Sequence, residues 1–196
     1  MAVRVLIPPA TEPVSIEEVL EYLRLDVEVD GEPPATLSAL IQAAREVAED
    51  RTARALMRQT LELSLDAFPR GPDPIHLPRP PLIAVERVTY LDRGEEVELD
   101  AGAYVVDTAS EPGRIAPAPG HVWPVADCVP GAVRIRYVAG YGDDPAAVPQ
   151  KIRTAMLMLI GGWWDQPEAI SQRQYHEVPF AAGVLLDQAR AHGWIG

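Results

Sequence analysis

The spacing of apolar residues predicts two helices in the first third of the chain. A capping box, Ser15 followed by Glu18, marks the start of the first helix, predicted over 15–25. A longer apolar stripe with the 3.6-residue period of an amphipathic helix predicts a second helix over 36–57. Three arginines lie near the end of this second helix: Arg51, Arg54 and Arg58. They form either a solvated face that complements the helix C-terminus or a binding patch.

From residue 59 the period changes to 2, which is typical of half-buried strands. Leu61, Leu63 and Leu65 alternate with polar residues. Further short strands are predicted at 75–77, 85–91, 96–100, 104–106, 114–116 and 133–137. Two clusters of prolines exclude helix from this region, because proline lacks the N–H group that a helix needs. Short strands are joined by hairpins more readily than by crossovers, so we predict a small, mostly antiparallel β unit over about 59–138.

The last third of the chain predicts a third helix and a tail. Pro149 opens the helix, which is predicted over 149–164. The apolar groups of the tail, 165–196, are too few and too separated to form a core alone. The predicted class is therefore α+β, with a helical core of two N-terminal helices and the third helix, and an inserted β unit. We expect one domain over 1–164, followed by a C-terminal arm.

Composition narrows the class of protein. The chain has 196 residues, of which 17 are basic and 29 acidic, giving a net charge of −12. Non-specific binding of nucleic acid needs a surplus of cations, so this charge argues against it. The lone Cys128 excludes an intrachain disulfide and fits a reducing compartment. The longest apolar run has ten residues, well short of the roughly 20 that span a bilayer, so no membrane contact is expected.

The sequence contains no recognisable catalytic, metal or cofactor motif. The carboxylate groups at 95–98 and 143–144 lie in predicted turns and solvent-facing positions, whereas catalytic carboxylates need an apolar or coupled setting. Cys128 has Asp127 and His121 nearby, but no signature of a thiol enzyme surrounds it. We therefore expect no enzyme activity, no cofactor and no metal.

Short motifs in a fixed order give the chain a resemblance to a known family. They are PVSIEE at 13–18, LRLD at 23–26, LIQAAREVAE at 40–49, LPRPP at 77–81, AGYG at 139–142 and VP at 148–149. The chain resembles the gp6-like head–tail connector (adaptor) proteins of long-tailed bacteriophages and gene transfer agents. One departure is Ala53, where many relatives carry glycine, so the end of the second helix is left open.

The resemblance implies a structural protein of the virion neck, made in the bacterial cytoplasm. Such adaptors form a ring between the portal protein and the next neck (stopper) or tail protein, and they line the channel through which genomic DNA leaves without specific binding. The ring contacts would involve Arg51, Arg54 and Arg58. The portal contacts would come from Trp164, Phe180, Val184, Leu185, Leu186, Trp194 and Ile195.

Two expectations follow from the resemblance, and two other classes stay open. We expect a net negative channel face, because phosphate contacts would retain the DNA. We also expect that removal of 179–196 leaves a folded protein that no longer attaches to the portal. The alternatives are an intracellular regulatory or chaperone-like protein-binding module and a hydrolase with an unpatterned carboxylate site.

Overall fold

A computed structural model describes residues 1–25, 35–165 and 179–191. Its elements in chain order are β1 (Ala2–Ile7), α1 (Ile16–Leu23), α2 (Ala35–Thr52), β2 (Gln59–Leu65), β3 (Ile75–His76), β4 (Leu82–Asp92), β5 (Glu95–Glu98), β6 (Tyr104–Asp107), β7 (Arg114–Pro117), β8 (Val133–Ala139), α3 (Gln150–Asp165) and α4 (Phe180–Gln188). Every strand pair among the described residues is antiparallel, and the predicted α+β class is confirmed. The chain divides into a β unit and a helical unit.

The β unit comprises Met1–Ala10 and Arg58–Gly142, together with Ala191. It contains a five-stranded sheet of order β1-β2-β8-β4-β5 and a three-stranded sheet of order β3-β7-β6. One face of the larger sheet is apolar and fully buried, as the alternation along β2 and β8 predicts: Leu61, Leu63, Val133, Ile135 and Tyr137. The Tyr137 hydroxyl in this core donates a hydrogen bond to the Pro78 carbonyl at 2.9 Å.

The hairpin predicted around residues 92–94 is present. β4 and β5 pair antiparallel, with Asp92 opposite Glu95. The two residues between them, Arg93 and Gly94, have φ angles of 54° and 83°. Positive φ at both central positions is the condition for the tight turn that matches the twist of a hairpin.

Strand β1 was not predicted from the sequence. It pairs with β2 and forms one edge of the larger sheet, where Val3 lies opposite Leu63 and Val5 opposite Leu61. Its sequence, AVRVLI, shows no sustained alternation, and three of its five apolar residues stay exposed. The period-2 signal is weak for this reason, because an edge strand buries little of its surface.

The helical unit comprises Thr11–Met57 and Asp143–Arg190. The predicted capping box starts α1: the Ser15 hydroxyl accepts the Glu18 N–H at 3.2 Å, and the Glu18 carboxylate accepts the Ser15 N–H at 2.9 Å. The predicted stripe of α3 is buried except at its end, where Trp163 is half-buried; the buried residues are Ile152, Ala155, Met156, Leu159 and Ile160.

Helix α2 ends at Thr52, not at residue 57 as the apolar spacing predicts. Ala53 has a φ of 54°, so the backbone leaves the helix in the left-handed region. The Arg54 N–H donates to the Glu49 carbonyl at 3.2 Å, a closing bond typical of a helix C-terminus. Glycine normally occupies this position and indicates the end of a helix in a sequence. Because residue 53 is alanine, the sequence does not indicate where α2 ends.

Helix α4 occupies the described part of the predicted arm. Its buried side chains, Ala182, Leu186 and the following Ala189, recur at helical spacing, and the helix packs against α3 and α2. The expectation that a chain without 179–196 stays folded remains a prediction. None of the described helices is both long and apolar enough to cross a membrane.

Candidate functional site

The arginines at the end of α2 contact the last helix of their own chain. Arg51 donates from Nε and Nη2 to the two carboxylate oxygens of Asp187, both at 2.8 Å. Arg54 Nε donates to the Ala189 carbonyl at 2.8 Å, and Lys151 Nζ to the Gln188 carbonyl at 3.2 Å. Three cations thus surround the C-terminal end of α4, where the helix dipole favours positive charge.

The ion pair between Arg51 and Asp187 shifts the pKa values of both side chains. The hydrogen bond from Arg51 lowers the pKa of Asp187, and the same bond raises the pKa of Arg51. Arg58 lies apart: its side chain is exposed, and its N–H donates to the Gly142 carbonyl at 2.9 Å. The role of the three arginines as contacts with a neighbouring subunit stays a prediction.

The predicted portal contacts divide between the two faces of α4. Phe180 and Val184 are one helical turn apart, and Phe180 is 88% exposed. Leu186 is fully buried on the opposite face, while Leu185 and Trp164, at the end of α3, are half-buried. Trp194 and Ile195 lie outside the described residues. The portal contact itself stays a prediction. Among the named residues of α4, Phe180 and Val184 are the exposed ones and form an apolar patch.

A buried charge cluster joins α2 to the chain before α1. Arg45 Nε donates to the Glu12 carboxylate at 2.8 Å, and its Nη1 to the Glu49 carboxylate at 3.1 Å. The other oxygen of Glu49 accepts the Leu56 N–H at 2.9 Å, just after α2 ends. Burial raises the pKa of Glu12, and Arg45 partly offsets this effect. The cluster fixes the course of the chain on both sides of α2.

A loop of the β unit, residues 118–132, forms a second candidate contact surface, which we call the valine loop. The Trp123 Nε1–H donates to the Asp73 carbonyl at 2.9 Å, and the indole stacks on Phe68 with ring centroids 5.1 Å apart. The Asp127 carboxylate accepts the N–H groups of Arg93 and Gly94 at 3.0 and 2.7 Å. These contacts hold the loop in place.

The valine loop exposes its remaining apolar side chains to solvent. Val122 is 78% exposed and Val125 is 89% exposed, with Val129 also exposed. Sequence reasoning missed this surface. The signal that could have found it is the coincidence of three valines with an almost uncharged loop between strands.

The groups considered for catalysis have structural roles in this fold. Glu96 pairs with Arg134 at 3.5 Å, and Asp144 caps a short 3₁₀ turn by accepting the Ala146 N–H at 2.9 Å. Both oxygens of Asp127 accept N–H bonds from the β4–β5 turn, and its neighbour Cys128 is exposed. In the part of the chain that the structure describes, no three His, Cys, Asp or Glu side chains are grouped to hold a metal.

The fold is similar, over its full length, to that of chains in gene transfer agent (GTA) particles. A chain from the neck of an empty GTA particle, computed with C6 symmetry, is 25% identical, with a TM-score of 0.78 over 100% of this chain and 98% of that one. Chains from the virion of a native GTA particle and from the neck of a native particle, computed with C12 symmetry, are each 24% identical, with TM-scores of 0.76 and 0.74 at the same coverage. No protein-family model and no curated protein matches the chain.

Proposed function

We propose that this chain is a structural component of the neck of a phage-like particle. Within the neck we assign it the role of head–tail connector, or adaptor. In that role, copies of the chain form a ring between the portal protein and the next neck or tail protein. We propose that the protein acts in the ring as a structural component and not as an enzyme.

The observation that carries the proposal is the full-length likeness to a chain in a GTA neck. The likeness covers 100% of this chain and 98% of the other, so both units of the fold are included and no additional domain needs explaining. It agrees with the order of short motifs that resembles the gp6-like adaptors. The buried Arg45 cluster and the cations at the end of α4 are fold-stabilising features and suggest no competing chemistry.

In the proposed role, the exposed apolar patch of α4, formed by Phe180 and Val184, binds a partner protein. Phe180 and Val184 present an apolar surface on a helix that is fixed to its own unit by Leu186 and Arg51. A rigid helix face of this kind docks into a groove of a partner with little loss of entropy. The portal protein is the partner that we propose. The net charge of −12 suits a channel wall that DNA must pass without being held.

The proposal is tested by imaging purified portal rings mixed with this protein. We expect additional ring density on one end of each portal. Portals that remain bare at saturating protein would overturn the adaptor role.

A pair of matched variants locates the portal contact. Phe180→Asp places a charge in the exposed patch of α4, and we expect at least a tenfold loss of portal binding, about 1.4 kcal/mol. Val105→Asp is the control, because Val105 is also exposed but lies on β6 of the smaller sheet. Equal binding by both variants would show that the portal contact lies outside α4.

A further inference from the structure

We propose that the valine loop of one copy binds the edge strand β1 of the next copy, so that these two surfaces form the repeating contact of the ring. This inference rests on the proposed function, because it assigns a neighbour to each surface. It differs from the portal contact, which involves α4.

The valine loop has the properties of a preformed contact surface. Loops longer than about 12–15 residues are uncommon in compact domains unless they have a function. This one spans 118–132 and is anchored by Trp123 and Asp127, yet Val122 and Val125 point almost wholly into solvent. An anchored loop that exposes apolar side chains loses little entropy on binding and gains the full benefit of their burial.

Strand β1 offers a second apolar surface at the edge of the larger sheet. Within the described residues it has a strand partner on one side only. Val5 and Ile7 are both exposed. A register shift between them puts Val5 opposite Leu61 and Ile7 opposite Thr60, so that the two side chains lie on opposite faces of the strand. A partner that covers both must approach β1 from its open edge.

The ring of the proposed function needs a contact between two copies of this chain, and the charge at the two surfaces permits one. Two copies with a net charge of −12 repel each other, so contact is favoured only where acidic side chains are few or neutralised. Asp127 is the one acidic residue within the valine loop, and both of its oxygens accept N–H bonds from the β4–β5 turn. The one charged residue within β1 is Arg4, which pairs with Glu62 at 2.7 Å.

The positions of the two surfaces favour a ring over a two-fold dimer. Ile7 lies opposite Thr60, whereas the valine loop is tied through Gly131 to Asp66, six residues further along the chain. At the rise of an extended strand this separates them by about 20 Å. Two different, separated surfaces that bind each other make a head-to-tail contact, and such contacts form a ring with cyclic symmetry when the rotation from one copy to the next closes.

Cross-linking tests the contact, with the single native cysteine as the probe. Cys128 is exposed within the valine loop, so Ile7→Cys places a thiol on the other side of the proposed interface. We expect mild oxidation to link this variant through disulfides into a ladder of oligomers, without any portal present. A disulfide within one chain is excluded, because it needs Cα atoms within about 7 Å of each other and the two surfaces lie about 20 Å apart.

Controls separate this contact from other associations. Val105→Cys, on exposed β6, should give no ladder, and the wild-type protein should give at most dimers. Val125→Asp should lower self-association at least tenfold, and circular dichroism should show an unchanged fold because this side chain is 89% exposed.

Three results would overturn the inference: dimers without a ladder in Ile7→Cys, rings of Val125→Asp as stable as those of the wild type, or a monomer at the highest soluble concentration. Portal decoration is measured separately. Portals decorated by Val125→Asp as fully as by the wild type would sink this contact and leave the adaptor role standing. A ladder of oligomers together with bare portals would support this contact and overturn the adaptor role.

Discussion

Arg51 and Asp187, 136 residues apart in the chain, form a two-point ion pair in the helical unit, with both N–O distances at 2.8 Å. The pair connects the end of α2 to α4. Paired charges that lie so far apart in sequence cannot be recognised from spacing, because spacing reveals only neighbours on the same element. The arginine therefore resembles a free surface charge in the sequence, while in the fold it holds the last helix.

We predict that Leu186→Ala lowers the free energy of unfolding by about 2–5 kcal/mol, because its fully buried side chain leaves a cavity under α4. Phe180→Ala is the control on the same helix. Its side chain is 88% exposed, so the expected change is within about 0.5 kcal/mol. Chemical denaturation measures both. Similar small effects would mean that α4 is the dispensable arm that the sequence suggested.

We predict that Arg45→Met destabilises the protein by about 3–5 kcal/mol, because it removes the guanidinium that neutralises the buried carboxylate of Glu49. Arg93→Met, whose side chain is 93% exposed, should leave the free energy of unfolding nearly unchanged. Thermal and urea unfolding of both variants provides the comparison. A loss below about 1 kcal/mol for Arg45→Met would contradict a stabilising role for the cluster.

We predict that Ala53→Gly stabilises the protein by about 0.5–1 kcal/mol, because glycine has no Cβ to strain a backbone with a φ of 54°. Ala39→Gly is the control, and we expect it to lower the free energy of unfolding instead of raising it. Ala39 is exposed within α2, where glycine costs about 1 kcal/mol relative to alanine. The two midpoints of denaturation should move in opposite directions, and a shared direction would show that Ala53 is unstrained.

We predict that Asp107 titrates with a pKa of about 2, below its ordinary value of 3.8, because the Ser110 hydroxyl and Arg114 donate hydrogen bonds to its carboxylate. A lowered pKa means that the ionised form stabilises the fold above about pH 4, and that this contribution is lost as the pH falls towards 2. Carbon NMR of the side-chain carboxyl measures the value. Ser110→Ala should return the pKa towards its ordinary value, and an unchanged pKa in that variant would assign the shift to Arg114.

The extent to which the sequence predicts the fold differs among elements for physical reasons. The capping box of α1, the strand β8 and the β4–β5 hairpin were predicted, since each depends on residues close together in the chain. Strand β1 was missed because it is an edge strand that buries little of its surface. Helix α4 was missed because its sequence is apolar on both its buried and its exposed face and therefore shows no amphipathic period. The end of α2 was misplaced because alanine occupies a position that glycine normally signals.

The candidate surfaces were predicted less completely than the fold. Phe180, Val184 and Leu186 were all named as candidate portal contacts of the C-terminal arm. The structure places Phe180 and Val184 on an exposed face of α4, whereas it buries Leu186. The valine loop was not predicted because its fixed conformation depends on Trp123 and Asp127 reaching Asp73 and Gly94, contacts that only folding creates. Exposure of an apolar residue is a property of the folded chain and has no counterpart in a single sequence.

The helical unit is assembled from two stretches of chain, Thr11–Met57 and Asp143–Arg190, with Arg58–Gly142, the larger part of the β unit, encoded between them. During synthesis, α1 and α2 leave the ribosome long before α3 and α4, the helices that cover their apolar stripes. The helical unit can therefore complete its core only after Leu186 has emerged. A chain that ends before α4 lacks part of this core, so folding of the helical unit depends on synthesis of its last helix.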